Sequence, residues 1–257
     1  MAGFNTHITT STIVGIGYGA AAYVFMPEVA NGETVTITTC MLTAGLCSIA
    51  GILPDLDSGS GRPVKEISAF VAAMAPMLMI DRFRRFGMGP EEIALAGAII
   101  YMVIRFGVAE VFKKYTKHRG MWHSIPAAIS VALVAFLVVS GERLDVRLLK
   151  ASAVFLGFMV HLTLDEIWSV EWHGVMPRFK KSFGTAIKFW NPNSMWSNFS
   201  TYSKLAILVM AAVGDPILMQ QYHLHRTPEE MQAAAPGTVP TQPPEIATEP
   251  LTFPITR

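Results

Sequence analysis

Long apolar runs, separated by short segments that hold most of the charge, limit this chain more than any other feature of it. About 20 residues of helix cross a hydrocarbon layer of about 30 Å. Seven segments approach or reach that length: Ile8–Met26, Val35–Pro54, Val64–Ile80, Glu91–Ala109, Ser124–Ser140, Leu148–Trp168 and Ser203–Met219. Composition agrees. Of 257 residues 51% are hydrophobic and 15% charged, and the mean hydropathy is +0.40, whereas a soluble domain carries about 25% charged residues. The expected fold is therefore all-α, a polytopic transmembrane helical bundle with about seven membrane segments. The third run is short and contains Pro76, so a tilted or re-entrant segment is the alternative there.

No Lys or Arg precedes the first apolar run, so it is expected to be retained as a helix and not cleaved as a signal peptide. Gly15, Gly17, Gly19 and Ala20 to Ala22 would let neighbouring helices approach closely. Cys40 and Cys47 stand two helical turns apart, about 10 Å, too far for a disulfide; they read as small buried thiols. Residues 226–257 are rich in Pro, Thr, Glu and Gln and are expected to form a disordered tail behind a membrane domain of residues 1–225. Basic residues set orientation. With the N-terminus cytoplasmic, that side holds Arg62, Lys113, Lys114, Lys117, Arg119, Arg178, Lys180, Lys181 and Lys188; Arg82, Arg84 and Arg85 oppose the assignment. The expected location is the inner membrane, multi-pass, with a cytoplasmic N-terminus.

Four places supply metal-binding side chains. His7 stands before the first apolar run. "GILPDLD" closes the second with Asp55 and Asp57, and "KHRGMWHS" brings His118 and His123 to the start of the fifth. "HLTLDE" in the sixth puts His161 and Asp165 four apart, on one helical face. Alternating spans bring all four places to the same side of the membrane, the cytoplasmic side in this orientation. Each has an ordinary reading: a capping His, a polar turn, a basic loop with Ser124 capping the next helix, an interhelical His–Asp hydrogen bond. Four coincidences at one face favour a site. Imidazole and carboxylate suit divalent zinc, with manganese or magnesium as alternatives, and the cysteines are placed for none of this. Seven donors exceed one tetrahedral ion, so either two ions bind or some groups orient the others. Trp168, Trp172, Trp190 and Trp196, with Phe179, Phe183 and Phe189, read as an interfacial aromatic belt, or as a lip admitting a lipid-like substrate.

The early His, "LPDLD", "HRGMWHS" and "HLTLDE" together resemble the YdjM-like family of bacterial inner-membrane proteins across roughly residues 1 to 185. Members are described as metal-dependent hydrolases, some controlled by the LexA damage-response repressor. The resemblance implies that His7, Asp55, Asp57, His118, His123, His161 and Asp165 bind metal or act in catalysis, with Asp57, His123 and Asp165 the expected catalytic groups. Where the family commonly has Thr before the second His of the "HRG" element, this chain has Trp122, which leaves both imidazoles available.

The leading expectation is a membrane-bound metal-dependent hydrolase in which metal-activated water attacks a phosphoester or other lipid-associated bond. Its partners would be membrane lipids and a small or lipid-like substrate. A divalent-ion transporter using the same residues is the alternative, although transport sites lie near the bilayer midplane at broken helices. A non-catalytic structural protein is the third. No basic stripe or base-stacking motif points to nucleic acid.

Overall fold

The computed structural model describes residues 3–26, 35–58, 62–108, 120–173, 176–179, 184 and 187–221. The chain divides into two compact units, Met1–Leu218 and Met219–Arg257; the proline-rich tail lies outside the described residues. The architecture is helical. Helix α1 is Phe4–Phe25, α2 is Ile37–Ala50, and a 3-10 turn Leu53–Ser58 follows. Then come α3 (Arg62–Leu78), α4 (Ile80–Arg85) and α5 (Pro90–Met102), which runs on into a π-helical turn Val103–Val108. Next are α6 (Ile125–Val138) and α7 (Leu144–Ile167), and finally α8 (Met195–Val213) and the short α9 (Pro216–Gln221). One element was not anticipated: β1 (Val170–His173) pairs antiparallel with β2 (Met176–Phe179), Val170 opposite Phe179. Val170 and Trp172 suit a pleated strand, and Pro177 is tolerated because each strand of a two-stranded ribbon is an edge.

Among the described residues, two helices are long and apolar enough to cross a membrane, α1 and α7; α2 and α6 are apolar but shorter. The boundaries shift from those expected. Helix α7 begins at Leu144, which brings Arg147 inside it, and α8 begins at Met195, which brings Trp196 inside it.

Helices α1, α2, α6, α7 and α8 pack as one group, and the contacts fix their directions. Thr12 meets Ser48 at 2.6 Å, while a side chain at Gly15 would meet Ala44 and one at Gly19 would meet Cys40, so α1 and α2 are antiparallel. Gly15 and Gly19 are the glycines that permit this approach; Gly17 has open space around it. On α7, Gly157 lies against Cys47 and Ala50, and His161 against Gly51, so α7 runs parallel to α2. Helix α6 is antiparallel to α7, because Phe136 meets Arg147 while Ala127 and Ala128 share a cluster with Phe158 and Leu162. Cys47 is buried and Cys40 half-buried, and both are free thiols.

The other end of α7 is tied by charge. Buried Arg147 binds Asp215, beyond the end of α8, through both terminal nitrogens at 2.7 and 2.8 Å. It also donates to the Phe136 carbonyl at 3.0 Å and lies 4.3 Å over that residue's ring. Arg82 of α4 approaches the same carboxylate at 3.6 Å. Nearby, Ser140 after α6 donates through both backbone N–H and hydroxyl to Leu78 O at the end of α3. The ends of α3, α6 and α8 and the start of α7 therefore meet.

Candidate metal centre

The helix directions carry His7, near the start of α1, to the level where α2 ends and α7 finishes. Helix α2 gives way at Gly51, which stays right-handed and is glycine because a side chain there would meet Ser11, and Pro54, which has no N–H to continue the ladder, follows as the chain tightens into the 3-10 turn that holds Asp55 and Asp57. His123 sits in the turn before α6, whose first amides are capped by Ser124, the Oγ accepting from Ala127 N. His161 and Asp165 occupy the last two turns of α7.

These side chains converge. His7 Nε2 lies 3.5 Å from Asp165 Oδ1, and His161 Nε2 lies 3.8 Å from Asp165 Oδ2 and 3.6 Å from Asp55 Oδ1. The His7 and His161 rings stack with centroids 3.8 Å apart, and the His123 ring stands edge-on to His161 at 5.7 Å. His7, His123, His161 and Asp165 are all buried, whereas the Asp55 side chain is 29% exposed and marks the open side. Two three-residue groups hold donor atoms within 4.8 Å of one another: His7, His161 and Asp165, and Asp55, His123 and His161.

The proton inventory shows what this arrangement suits. His161 Nδ1 is 2.8 Å from Gly51 O. A carbonyl only accepts, so Nδ1 carries the proton and the neutral ring presents a lone pair at Nε2. That lone pair faces carboxylate oxygens of Asp55 and Asp165, which also only accept. His161 Nε2 and His7 Nδ1 are buried with no hydrogen-bond partner. Buried polar atoms are rarely left so. A cation among these acceptors resolves the conflict, and an N–H to backbone carbonyl bond on the far side of the ring is how metal-ligating histidines are oriented. Three imidazoles and two carboxylates suit zinc and other borderline divalent ions. The donor set fits.

Of the seven expected residues, the structure brings together His7, Asp55, His123, His161 and Asp165. Asp57 is in the 3-10 turn, but its side chain lies outside the described residues, as does the whole of His118. Two contributors were missed. The Gly51 carbonyl, which fixes the His161 tautomer, was signalled only by a glycine at a helix end. Trp122 holds the wall: its indole N–H donates to Leu53 O at 3.1 Å and its ring meets Phe158 edge-on. The aromatic stretch is exposed where it is described, at Trp168, Phe189, Trp190 and Trp196. Lys188 O accepts from Ile125 N, which ties the segment before α8 to the start of α6, two residues from His123.

The profile of a protein family described as YdjM inner membrane protein matches residues 1–224. No curated protein and no solved structure matches the chain.

Proposed function

The chain belongs to the YdjM inner membrane protein family, and from that premise we propose that it is a membrane-bound metal-dependent hydrolase whose centre is the His7–Asp55–His123–His161–Asp165 cluster. One observation carries the reading: His161 Nε2, turned by the bond to Gly51, is buried with no hydrogen-bond partner and faces carboxylate oxygens of Asp55 and Asp165. Because His161 offers a single nitrogen to both three-residue groups, the two groups describe one site, and zinc is the first candidate for it. A divalent ion held there supplies Lewis acidity toward water and toward a phosphoryl or carbonyl oxygen.

The protein's own groups do the rest. Asp165 Oδ1 facing His7 Nε2 at 3.5 Å forms a pair through which a proton can pass. His123, beside His161, is the second group able to hold one. Burial of the imidazoles excludes bulk water, and half-exposed Asp55 leaves one approach. That approach fits a phosphoester or another bond presented at a membrane surface. Seven alternating spans are part of this proposal: the antiparallel and parallel contacts of α1, α2, α6, α7 and α8 agree with it, and the basic-residue bias puts the cluster on the cytoplasmic side. Ligands gathered at helix ends, away from the middle of α1 and α7, argue against a transport site.

The test is metal content of the detergent-purified chain by elemental mass spectrometry. Roughly one ion per chain is expected in wild type, with loss from folded His161→Ala, since such sites rarely tolerate removal of an oriented ligand. Stoichiometric metal would then justify a phosphoester substrate screen. No bound metal after reconstitution with zinc, manganese and magnesium would end the proposal.

Asp165→Asn separates a metal site from a structural polar cluster. The amide can donate where the carboxylate could only accept, so this variant is expected to lose metal and yet keep at least the Tm of metal-free wild type. A chelator should lower the wild-type Tm, by the equivalent of about 2.7 kcal/mol for metal held at a hundredfold its Kd, and leave Asp165→Asn unchanged. Equal insensitivity of both proteins would favour the purely structural account.

A further inference from the structure

The donors of the His/Asp cluster are held in two ways. His7, His161 and Asp165 stand on α1 and α7, which pack side by side, with Tyr18 bonded to Ser152 at 2.7 Å. Asp55 and His123 stand outside the α-helices, in the 3-10 turn after α2 and in the turn before α6. Yet Asp55, His123 and His161 hold donor atoms within 4.8 Å of one another. The turns do not set that spacing alone. From Ile49 to Asp55 the backbone is tied by i to i+3 bonds, Ile52 N to Ile49 O at 2.9 Å and Asp55 N to Ile52 O at 3.1 Å, a poorer geometry than the α-helical bond. Pro54 brings no N–H at all.

Trp122 joins the two turns. It immediately precedes His123, and its indole N–H donates to Leu53 O, two residues before Asp55, at 3.1 Å and across 69 positions of sequence. Both partners rest on one foundation. Leu53 and Trp122 pack against the buried cluster of Ala127, Ala128, Phe158 and Leu162, and the Phe158 ring meets the indole edge-on at 6.0 Å. Phe158 and Leu162 are on α7 beside His161, so the indole takes its place from the helix that carries this imidazole. Apolar contact is non-directional and would let the ring slide over the cluster. The indole has a single donor with a fixed direction, and that bond sets how far the 3-10 turn stands from the turn of His123.

We infer that Trp122 is a positioning residue, which sets the separation of Asp55 and His123 through the bond from its indole N–H to Leu53 O. Without that bond the half of the cluster made by Asp55 and His123 loosens, while the half made by His7, His161 and Asp165 keeps its place. The consequence for metal affinity rests on the reading of the cluster as a metal centre; the consequence for the turn does not.

Two variants of the full chain test this. Trp122→Phe keeps an aromatic ring and loses the donor; 3-benzothienylalanine at the same position keeps the indole's shape, with sulfur in place of the N–H. Hydrogen exchange is followed by mass spectrometry on metal-free protein in detergent. In both variants the amides of the 3-10 turn should exchange several-fold faster, and those around His7 and His161 at the wild-type rate. An unchanged 3-10 turn, or equal acceleration throughout, would overturn the inference. If Trp122→Phe does not fold, the benzothienyl variant decides. Zinc affinity is then measured by competition with a chromophoric chelator. Trp122→Phe should weaken it about tenfold, the lower end of what losing a ligand-orienting partner costs. In Asp55→Ala the same substitution should cost less than about twofold, within the scatter of independent effects, because no Asp55 is left to misplace. An equal loss in both backgrounds would overturn the inference. Absence of zinc from wild type would overturn the metal reading instead, and the exchange rates would still decide the role of Trp122.

Discussion

Gly157→Ala is expected to destabilise the bundle and disrupt the His/Asp cluster proposed to hold metal, although it touches none of the cluster's residues. A Cβ there would overlap the Cys47 carbonyl and stand 3.0 Å from Ala50 Cβ, and the obstacle is the α2 backbone, which cannot turn aside as a side chain can. Overpacking a fitted core costs about 1–3 kcal/mol, and a backbone obstacle puts this substitution at about the upper end. Helix α7 must then move away from α2, and that motion pulls His161 from Gly51 one turn further on. Gly17→Ala should do the opposite. Nothing lies within 4 Å of that position, so replacing a mid-helix glycine should stabilise by about 0.5–1 kcal/mol. Graded denaturant unfolding followed by circular dichroism, with metal content measured on the same samples, reads both effects. Equal effects of the two substitutions would show that the α2–α7 contact is not as close as described.

The second large effect is at the other end of α7. Arg147→Met leaves Asp215 buried without its main partner, and breaking a buried pair in this way costs about 3–5 kcal/mol. Adding Asp215→Leu to Arg147→Met should recover most of the loss, because the isolated charge is gone; Arg82, whose side chain is 24% exposed, can turn to water. The same unfolding assay measures this. A double variant no more stable than Arg147→Met would mean that the guanidinium acts chiefly through Phe136, by the carbonyl bond and the ring contact, and that the ion pair adds little.

The two ends of the bundle were unequally legible. His7, Asp55, His123, His161 and Asp165 could be gathered from sequence because ionisable groups at the ends of apolar runs are few, and alternation of spans gives each end a side. The same logic applied to Arg147 and Asp215 would have paired them. Hydropathy hides the pair, because Arg147 falls just before the apolar run of the sixth segment and Asp215 stands as one acid among the apolar residues of the seventh. Trp122 shows another limit. Its side chain could be recognised as unusual for the family, but its bond to Leu53 O depends on how α2 ends, which no local pattern specifies. The β1–β2 hairpin has only a short local signal, the alternation in Val170, Glu171 and Trp172, which lies outside the long apolar runs that dominate the pattern.

Helix α7 is held near both ends, by Arg147 to Asp215 and by His161 and Asp165 to the cluster. Along the axis Arg147 lies about 21 Å from His161 and about 27 Å from Asp165, the longer distance close to the thickness of a bilayer's hydrocarbon layer. A helix fixed at one end answers a thicker or thinner membrane by tilting. Fastened at both ends to different neighbours, α7 cannot tilt alone, so a change in bilayer thickness becomes a load on the bundle, and the His161–Gly51 contact is among the first places to feel it. The geometry of the His/Asp cluster should therefore respond to acyl-chain length in the surrounding lipid.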